Sequence, residues 1–299
     1  MKNASFGFLF CILLYCLLIL LARKPAPEAK PDPIKLTREI TVYHPETDSA
    51  EKMSFEQYIC RCLAGEMPAS FHAEALKAQA VAIRSYICHK AQSASHPKNA
   101  DVCTDFNHCA AFSEIFDTFP EKTKKIYQNA VSETSAEVLY YNNQPANTVF
   151  HAMSGGKTES AENVWGSPVP YLMSVDSTLD TKAEKFETVV AFTHDEIMQK
   201  LGTASCTPGA VKHNEGGTVK TITIGEKTFT GREIREKLSL RSACFSVTDS
   251  ENTLTFTVHG YGHGVGMSQE GADAYAKQGL NYTEILEKYY PGTTLCRLY

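Results

Sequence analysis

Ala64-Gly65-Glu66-Met67-Pro68-Ala69-Ser70-Phe71 decides the fold: it joins two well-marked helices and leaves one carboxylate, Glu66, at their corner. Upstream, Ser54 and Gln57 fit a capping box, with Met53 and Tyr58 as its hydrophobic staple. Phe55, Tyr58, Ile59, Cys62 and Leu63 recur at helical spacing, so the first helix lies on an apolar face. Gly65 reads as its stop signal and Pro68 as the block to continuation. Ser70 is expected to cap a second, alanine-rich helix running to about His89, with Leu76, Ala80, Ile83 and Ile87 on one stripe. An acid at such a corner faces a groove more readily than one in mid-helix. Taken alone, Glu66 reads first as a solvated turn residue.

From about Lys35 onward, strands and helices mix without regular alternation, which predicts an α+β fold. A strand is expected near 40–43, a helix over 121–135, and strands near 138–141 and 147–153. Asn142-Asn143-Gln144-Pro145 has the composition of a turn. Residues 178–250 read as a smaller inserted α+β lobe with helices over 193–201 and 233–238. A strand begins at Val219 and turns at Gly225-Glu226-Lys227. The expected map is a core from 39–177 and 251–299, split in sequence by that lobe.

The chain has 299 residues, 43% hydrophobic and 21% charged, which is ordinary globular usage. With a net charge of −5 and no basic run interleaved with aromatics, nucleic acid is excluded as a partner class. Phe6 to Ala22 is an unbroken apolar run of 17 residues followed by Arg23 and Lys24 rather than a small-x-small cleavage site. A retained membrane anchor over 1–23 is expected, then a stiff proline-rich spacer over 24–38.

Glycines at 260, 262, 264 and 266 strip side chains from a strand face or loop, so substrate or the Glu66 corner is expected to approach closely there. His263 is the ionisable group among them, and a buried structural histidine is the competing reading. Ser268 and Gln269 open a helix that stops at Gly279. Gln79 and Arg84 fall outside the apolar stripe and face either a groove or solvent. Gly155-Gly156 lets backbone approach a ligand, with Ser154 and Thr158 as hydrogen-bond donors. A Ser154–His263 nucleophilic pair lacks both a nucleophile elbow and a third member. Trp165, the sole tryptophan, is a core aromatic or a sugar platform.

His96, Cys103, His108 and Cys109 place two imidazoles and two thiols within 14 positions, the ligand set of a closed tetrahedral zinc site. A Cys103–Cys109 disulfide competes outside the cytoplasm. Cys206 and Cys244 are a second pair open to bridging.

The run Glu66-Met67-Pro68-Ala69-Ser70-Phe71, with Ala75-Leu76-Lys77-Ala78-Gln79-Ala80-Val81-Ala82 and Arg84, resembles the signature of the stage II sporulation protein D family. Gly260-Tyr261-Gly262-His263-Gly264-Val265-Gly266-Met267-Ser268-Gln269 and Tyr289-Tyr290-Pro291-Gly292-Thr293 resemble its C-terminal signature. Ser154-Gly155-Gly156, Val164-Trp165-Gly166 and Pro170-Tyr171-Leu172 match between them. The resemblance implies a peptidoglycan lytic transglycosylase of endospore formers with Glu66 as its acid. The same resemblance implies cleavage between N-acetylmuramic acid and N-acetylglucosamine with a 1,6-anhydro end left behind. It further implies a structural zinc, an extracytoplasmic catalytic part, and cooperation with an amidase, stage II sporulation protein P. Glu159 and Glu162 remain candidate second acids. A wall-binding module that stimulates an amidase is the chief alternative; a zinc hydrolase would need an open metal position.

Overall fold

The structure, a computed structural model, describes residues 39–298. The expected anchor and spacer lie outside the described residues, among which no helix is long and apolar enough to cross a membrane.

Strand β1 (Glu39–His44) pairs antiparallel with β2 (Ser49–Ser54). Ser54 then starts α1 (Phe55–Glu66) with both hydrogen bonds of the capping box in place. Gly65 does not end this helix, which runs on to Glu66 with Met67 as its cap. Glycine is required there for a different reason: a Cβ at position 65 would lie 2.9 Å from the backbone of Ala111. Helix α2 (Ala73–Lys90) is capped by the side chain of His72 rather than by Ser70. The His72 amide is itself held by Asp273 at 2.6 Å.

Helix α2 is buried almost all round, against α1 and later elements that include α3 (Glu121–Glu133), β4 (Glu137–Tyr141) and two C-terminal helices. Its alanines allow these close approaches. This corrects the groove-facing reading of Gln79 and Arg84, both fully buried. Arg84 donates to both carboxylate oxygens of Glu56, at 3.2 and 2.6 Å, and to the Glu137 carbonyl at 3.1 Å. It is a structural clamp, since an interior guanidinium needs this full set of partners.

Strand β3 (Val102–Cys103) joins the free side of β1 in parallel, and β4 turns into β5 (Gln144–Pro145) through Asn142 and Asn143 at φ 49 and 62°. Strand β6 (Phe150–His151) and the short α4 (Ala161–Trp165) follow. The stretch expected as a strand over 147–153 pairs at β6 and through an isolated antiparallel bridge between Met153 and Tyr261.

The inserted lobe comprises β7 (Glu187–Thr193), α5 (His194–Leu201), β8 (Pro208–His213), β9 (Val219–Ile224), β10 (Lys227–Thr230), α6 (Gly231–Leu238), β11 (Phe245–Ser250) and β12 (Thr253–His259). Ile222, Ile234, Leu254 and Phe256 anchor its own apolar cluster, separate from that of the core. The lobe extends beyond 250, because β12 is the middle strand between β11 and β7. The chain then enters β13 (Met267–Ser268), parallel to β6, and continues into α7 (Gln269–Lys277), α8 (Tyr282–Tyr289) and β14 (Thr294–Arg297), which pairs with β4.

Between the lobe and β13, Gly260, Gly262, Gly264 and Gly266 all have positive φ, from 72 to 115°. The segment is therefore a left-handed loop and not a stripped strand face. The backbone that packs closely against it is that of residues 149–154 of its own core. A Cβ at 266 would fall 2.0 Å from the Val149 carbonyl oxygen, and one at 262 would lie 2.8 Å from His151 Cβ.

Candidate active site

Glu66 closes α1 and its side chain turns inward. Its Oε1 accepts a hydrogen bond from the Ala111 amide at 2.9 Å and its Oε2 accepts one from Gln269 Nε2 at 3.2 Å. Burial raises its pKa above the ordinary carboxylate value, while these two donors oppose the shift and do not cancel it. The desolvated corner therefore outweighs the stabilisation of the anion. The carboxyl keeps its proton to higher pH than a surface glutamate.

Glu66 lines a cavity of about 330 Å³ with Tyr86, Phe106, Ala111, Phe150 and His263. It is the only carboxylate among the described residues lining that cavity. Glu66, Gln269 and His263 thus meet, although more than 190 residues separate the first from the other two.

His263 Nδ1 accepts from the Val265 amide at 3.1 Å, which places the proton of the neutral ring on Nε2. Burial lowers its pKa to about 4, with Arg235 pushing the same way. Behind it, His151 Nδ1 donates to the Val265 carbonyl at 3.0 Å, and burial lowers that ring to about 3. Both rings are neutral at physiological pH. His263 is therefore a cavity wall and hydrogen-bonding group, not a cation.

The remaining expected ligand-facing residues sit elsewhere. Ser154 is buried and donates to Asp180 Oδ2 at 2.5 Å, so it forms no pair with His263. Ser268 donates to Asp180 Oδ1 at 2.8 Å and caps α7 through the Gly271 amide. Thr158 donates to the Met173 carbonyl and accepts from the Val175 amide. These three hydroxyls are spent on the core, a correction to their reading as substrate contacts. Asp180, the hub that collects two of them, carried no sequence signal. Glu159 is also buried, accepting from the Ser160 amide, Asn163 and Thr218.

His96, Cys103, His108 and Cys109 converge, with all four ligand atoms within 4.8 Å of one another. His96 Nε2 lies 3.3 Å from Cys109 Sγ, and His108 Nδ1 lies 3.4 and 3.6 Å from Cys103 and Cys109 Sγ. Zinc bonds of about 2.0–2.3 Å set tetrahedral donor atoms about 3.3–3.8 Å apart, a range that holds the three separations above, while the widest separation in the cluster is within 4.8 Å. Both cysteines are free thiols. Hydrogen bonds from Cys109 and the Asp105 backbone lower Cys103 to about 5, against its burial. Cys206 and Cys244 are also free.

Fold and site define a class: a two-lobed α+β protein with one half-buried carboxylate of raised pKa in a cavity and a compact thiol–imidazole cluster beside it. The family model described as Stage II sporulation protein matches residues 43–141. Stage II sporulation protein D of Bacillus subtilis (strain 168) is 38% identical over 286 residues, 92% of this chain and 82% of that protein. Its counterpart in Bacillus amyloliquefaciens is 38% identical over 282 residues, 90% and 80% of the respective chains. The Amidase enhancer of Bacillus subtilis (strain 168) is 28% identical over 288 residues, 77% of this chain and 39% of that protein. The chain belongs to the stage II sporulation protein D family.

Proposed function

We propose that the chain is a peptidoglycan lytic transglycosylase that remodels septal wall during engulfment. The observation that carries this reading is Glu66, a half-buried acid whose pKa is raised and the lone carboxylate among the described residues lining its cavity. Ordinary glycosidases need two carboxylates flanking the bond. One suffices when the substrate supplies its own nucleophile.

Glu66 gives its proton to the glycosidic oxygen as the bond to muramic C1 breaks. The muramic C6 hydroxyl then attacks C1 and returns its proton to the Glu66 carboxylate. The products are a new N-acetylglucosamine hydroxyl end and a 1,6-anhydro-muramic end, and the acid is regenerated. The Ala111 amide and Gln269 hold the carboxylate in place and stabilise its anionic form between these two transfers.

The His96–Cys103–His108–Cys109 cluster would hold zinc as a structural ion, because four protein ligands leave no open position for water. Its place is informative: the cluster pins the segment whose Ala111 amide grips Glu66. An N-terminal membrane anchor, an extracytoplasmic catalytic part and cooperation with an amidase, stage II sporulation protein P, complete the proposal.

A second reading, a wall-binding module that stimulates an amidase without cleaving glycan, draws on the Amidase enhancer as a relative. Mass analysis of products from purified glycan strands separates the two. Anhydro ends uphold the transglycosylase, reducing ends point to a hydrolase, and uncleaved strands with retained binding point to the module.

A further inference from the structure

A second cavity, about 660 Å³, lies where α4 of the core meets β9 and α6 of the lobe, and His263 lines both it and the Glu66 cavity. The two are neighbours along one cleft. The second has a different chemistry. Its walls carry Trp165, 43% exposed, and three cations, Lys220, Arg232 and Arg235, against two carboxylates, Glu162 and Glu236. Arg232 is taken by Glu236, with Nε 2.8 Å from Oε1. Arg235 is half-buried, and among the described residues its guanidinium has no ion pair or hydrogen bond.

A guanidinium that has given up part of its water without gaining a hydrogen bond, and that feels the Glu236 charge only at a distance, is incompletely compensated, which a ligand carboxylate relieves. Its planar fork matches a carboxylate through two parallel hydrogen bonds. Burial already lowers the Arg235 pKa, the direction expected of an incompletely compensated cation. The walls are also preformed. Glu159 accepts from Asn163 of α4 at 2.8 Å and from Thr218 of the lobe at 2.6 Å. Its amide donates to the Gly264 carbonyl at 2.7 Å, beside His263. One buried acid thus clamps the Trp165 helix, the lobe and the glycine loop together.

We propose that this cavity is a subsite that seats a sugar ring on Trp165 and a carboxylate of the glycan strand on Arg235. The proposal rests on the glycan reading above. On such a strand the carboxylate comes either from the lactyl group of a muramic residue or from an attached peptide.

Trp165 is the chain's only tryptophan, so its fluorescence reports on this cavity alone. The test uses the full chain carrying Glu66→Gln, which binds without turnover. The probes are tetrasaccharides of alternating N-acetylglucosamine and N-acetylmuramic acid with free lactyl carboxylates, the same tetrasaccharides as lactyl methyl amides, and peptide-bearing forms. The acid form should change Trp165 emission and bind about tenfold or more tighter than the amide. Adding Arg235→Gln should erase that preference, and Arg235→Lys should restore part of it. Arg235-dependent binding of the peptide-bearing form assigns the carboxylate to the peptide instead of the lactyl group, and upholds the subsite.

Equal affinity for acid and amide, combined with binding of the peptide-bearing form that does not depend on Arg235, overturns the proposal, as does silent Trp165 emission on binding. So does an Arg235→Gln protein that melts normally and keeps the preference. Carboxylate-selective binding in a chain that never cleaves glycan would leave the subsite standing and remove the enzyme reading. Anhydro products without carboxylate preference would do the reverse.

Discussion

Gln269 Nε2 donates to Glu66 Oε2 across 3.2 Å, joining the first residue of α7 to the last of α1 over 203 positions of sequence. The two signatures of the family thus meet on a single carboxylate. One supplies the acid and the other a group that tunes it.

Replacing Gln269 by Leu removes a donor that holds the Glu66 pKa down. The pKa should rise further, because burial then acts with only the Ala111 amide against it. The alkaline limb of the pH–cleavage profile should move to higher pH, with a lower maximum from the loss of orientation. The measurement is the pH profile of anhydro-product formation. A limb that stays put or moves down would separate Gln269 from the acid.

Glu66→Gln should reduce cleavage by roughly 10²-fold or more, since an amide cannot donate the proton. It should also change how stability depends on pH. A raised folded-state pKa means the carboxyl contributes stability below the ordinary value of 4.5 and loses it as pH rises through the folded value. The variant lacks that loss, so it should match or exceed the parent's melting temperature at neutral and alkaline pH. The advantage should vanish in acid. Melting curves across pH read this directly.

The parts of the site legible in the sequence were those written locally. Ser54 and Gln57 mark the start of α1 within four residues, and the capping box forms as read. The four metal-type ligands lie in one short segment and converge. The parts that were not legible depend on distant chain. Asp273 holds the amide of His72, so the cap of α2 falls two residues after the one that sequence suggests. Arg84 and Gln79 look like surface residues until later helices and strands cover the remaining faces of α2. Arg235 gave no signal at all, because its cavity exists only once the lobe meets the core.

Cys103→Ser should lower bound zinc and melting temperature together, because metal binding and folding are coupled in such clusters. Elemental analysis and thermal melts of protein purified without chelator provide the test. A stoichiometric Cys103–Cys109 disulfide with no metal would sink the structural-zinc proposal. The folded fraction should keep near-normal specific activity if the ion supports shape alone. A fully folded, metal-free variant with no activity would instead assign the cluster a direct role.

Asp180 offers the sharpest separation of fold from chemistry. Its carboxylate accepts from the Ser154 amide and hydroxyl, the Ser177 hydroxyl at 3.0 Å and the Ser268 hydroxyl at 2.8 Å. Ser177 continues to the Tyr289 hydroxyl at 2.6 Å, so the network ties the segment after β6 to α7 and α8. Asp180→Ala leaves several buried polar groups unpaired, at about 1–3 kcal/mol each, and should destabilise by roughly 3 kcal/mol or more. Asp180→Asn keeps one accepting oxygen and should cost less. Neither change touches the Glu66 cavity, so at temperatures where each variant is folded, cleavage per folded molecule should stay close to that of the parent. Denaturant unfolding gives the first quantity and product formation normalised to folded protein gives the second. An Asp180→Asn protein that is as stable as the parent but inactive would show that the serine hub, not Glu66 alone, reaches the substrate.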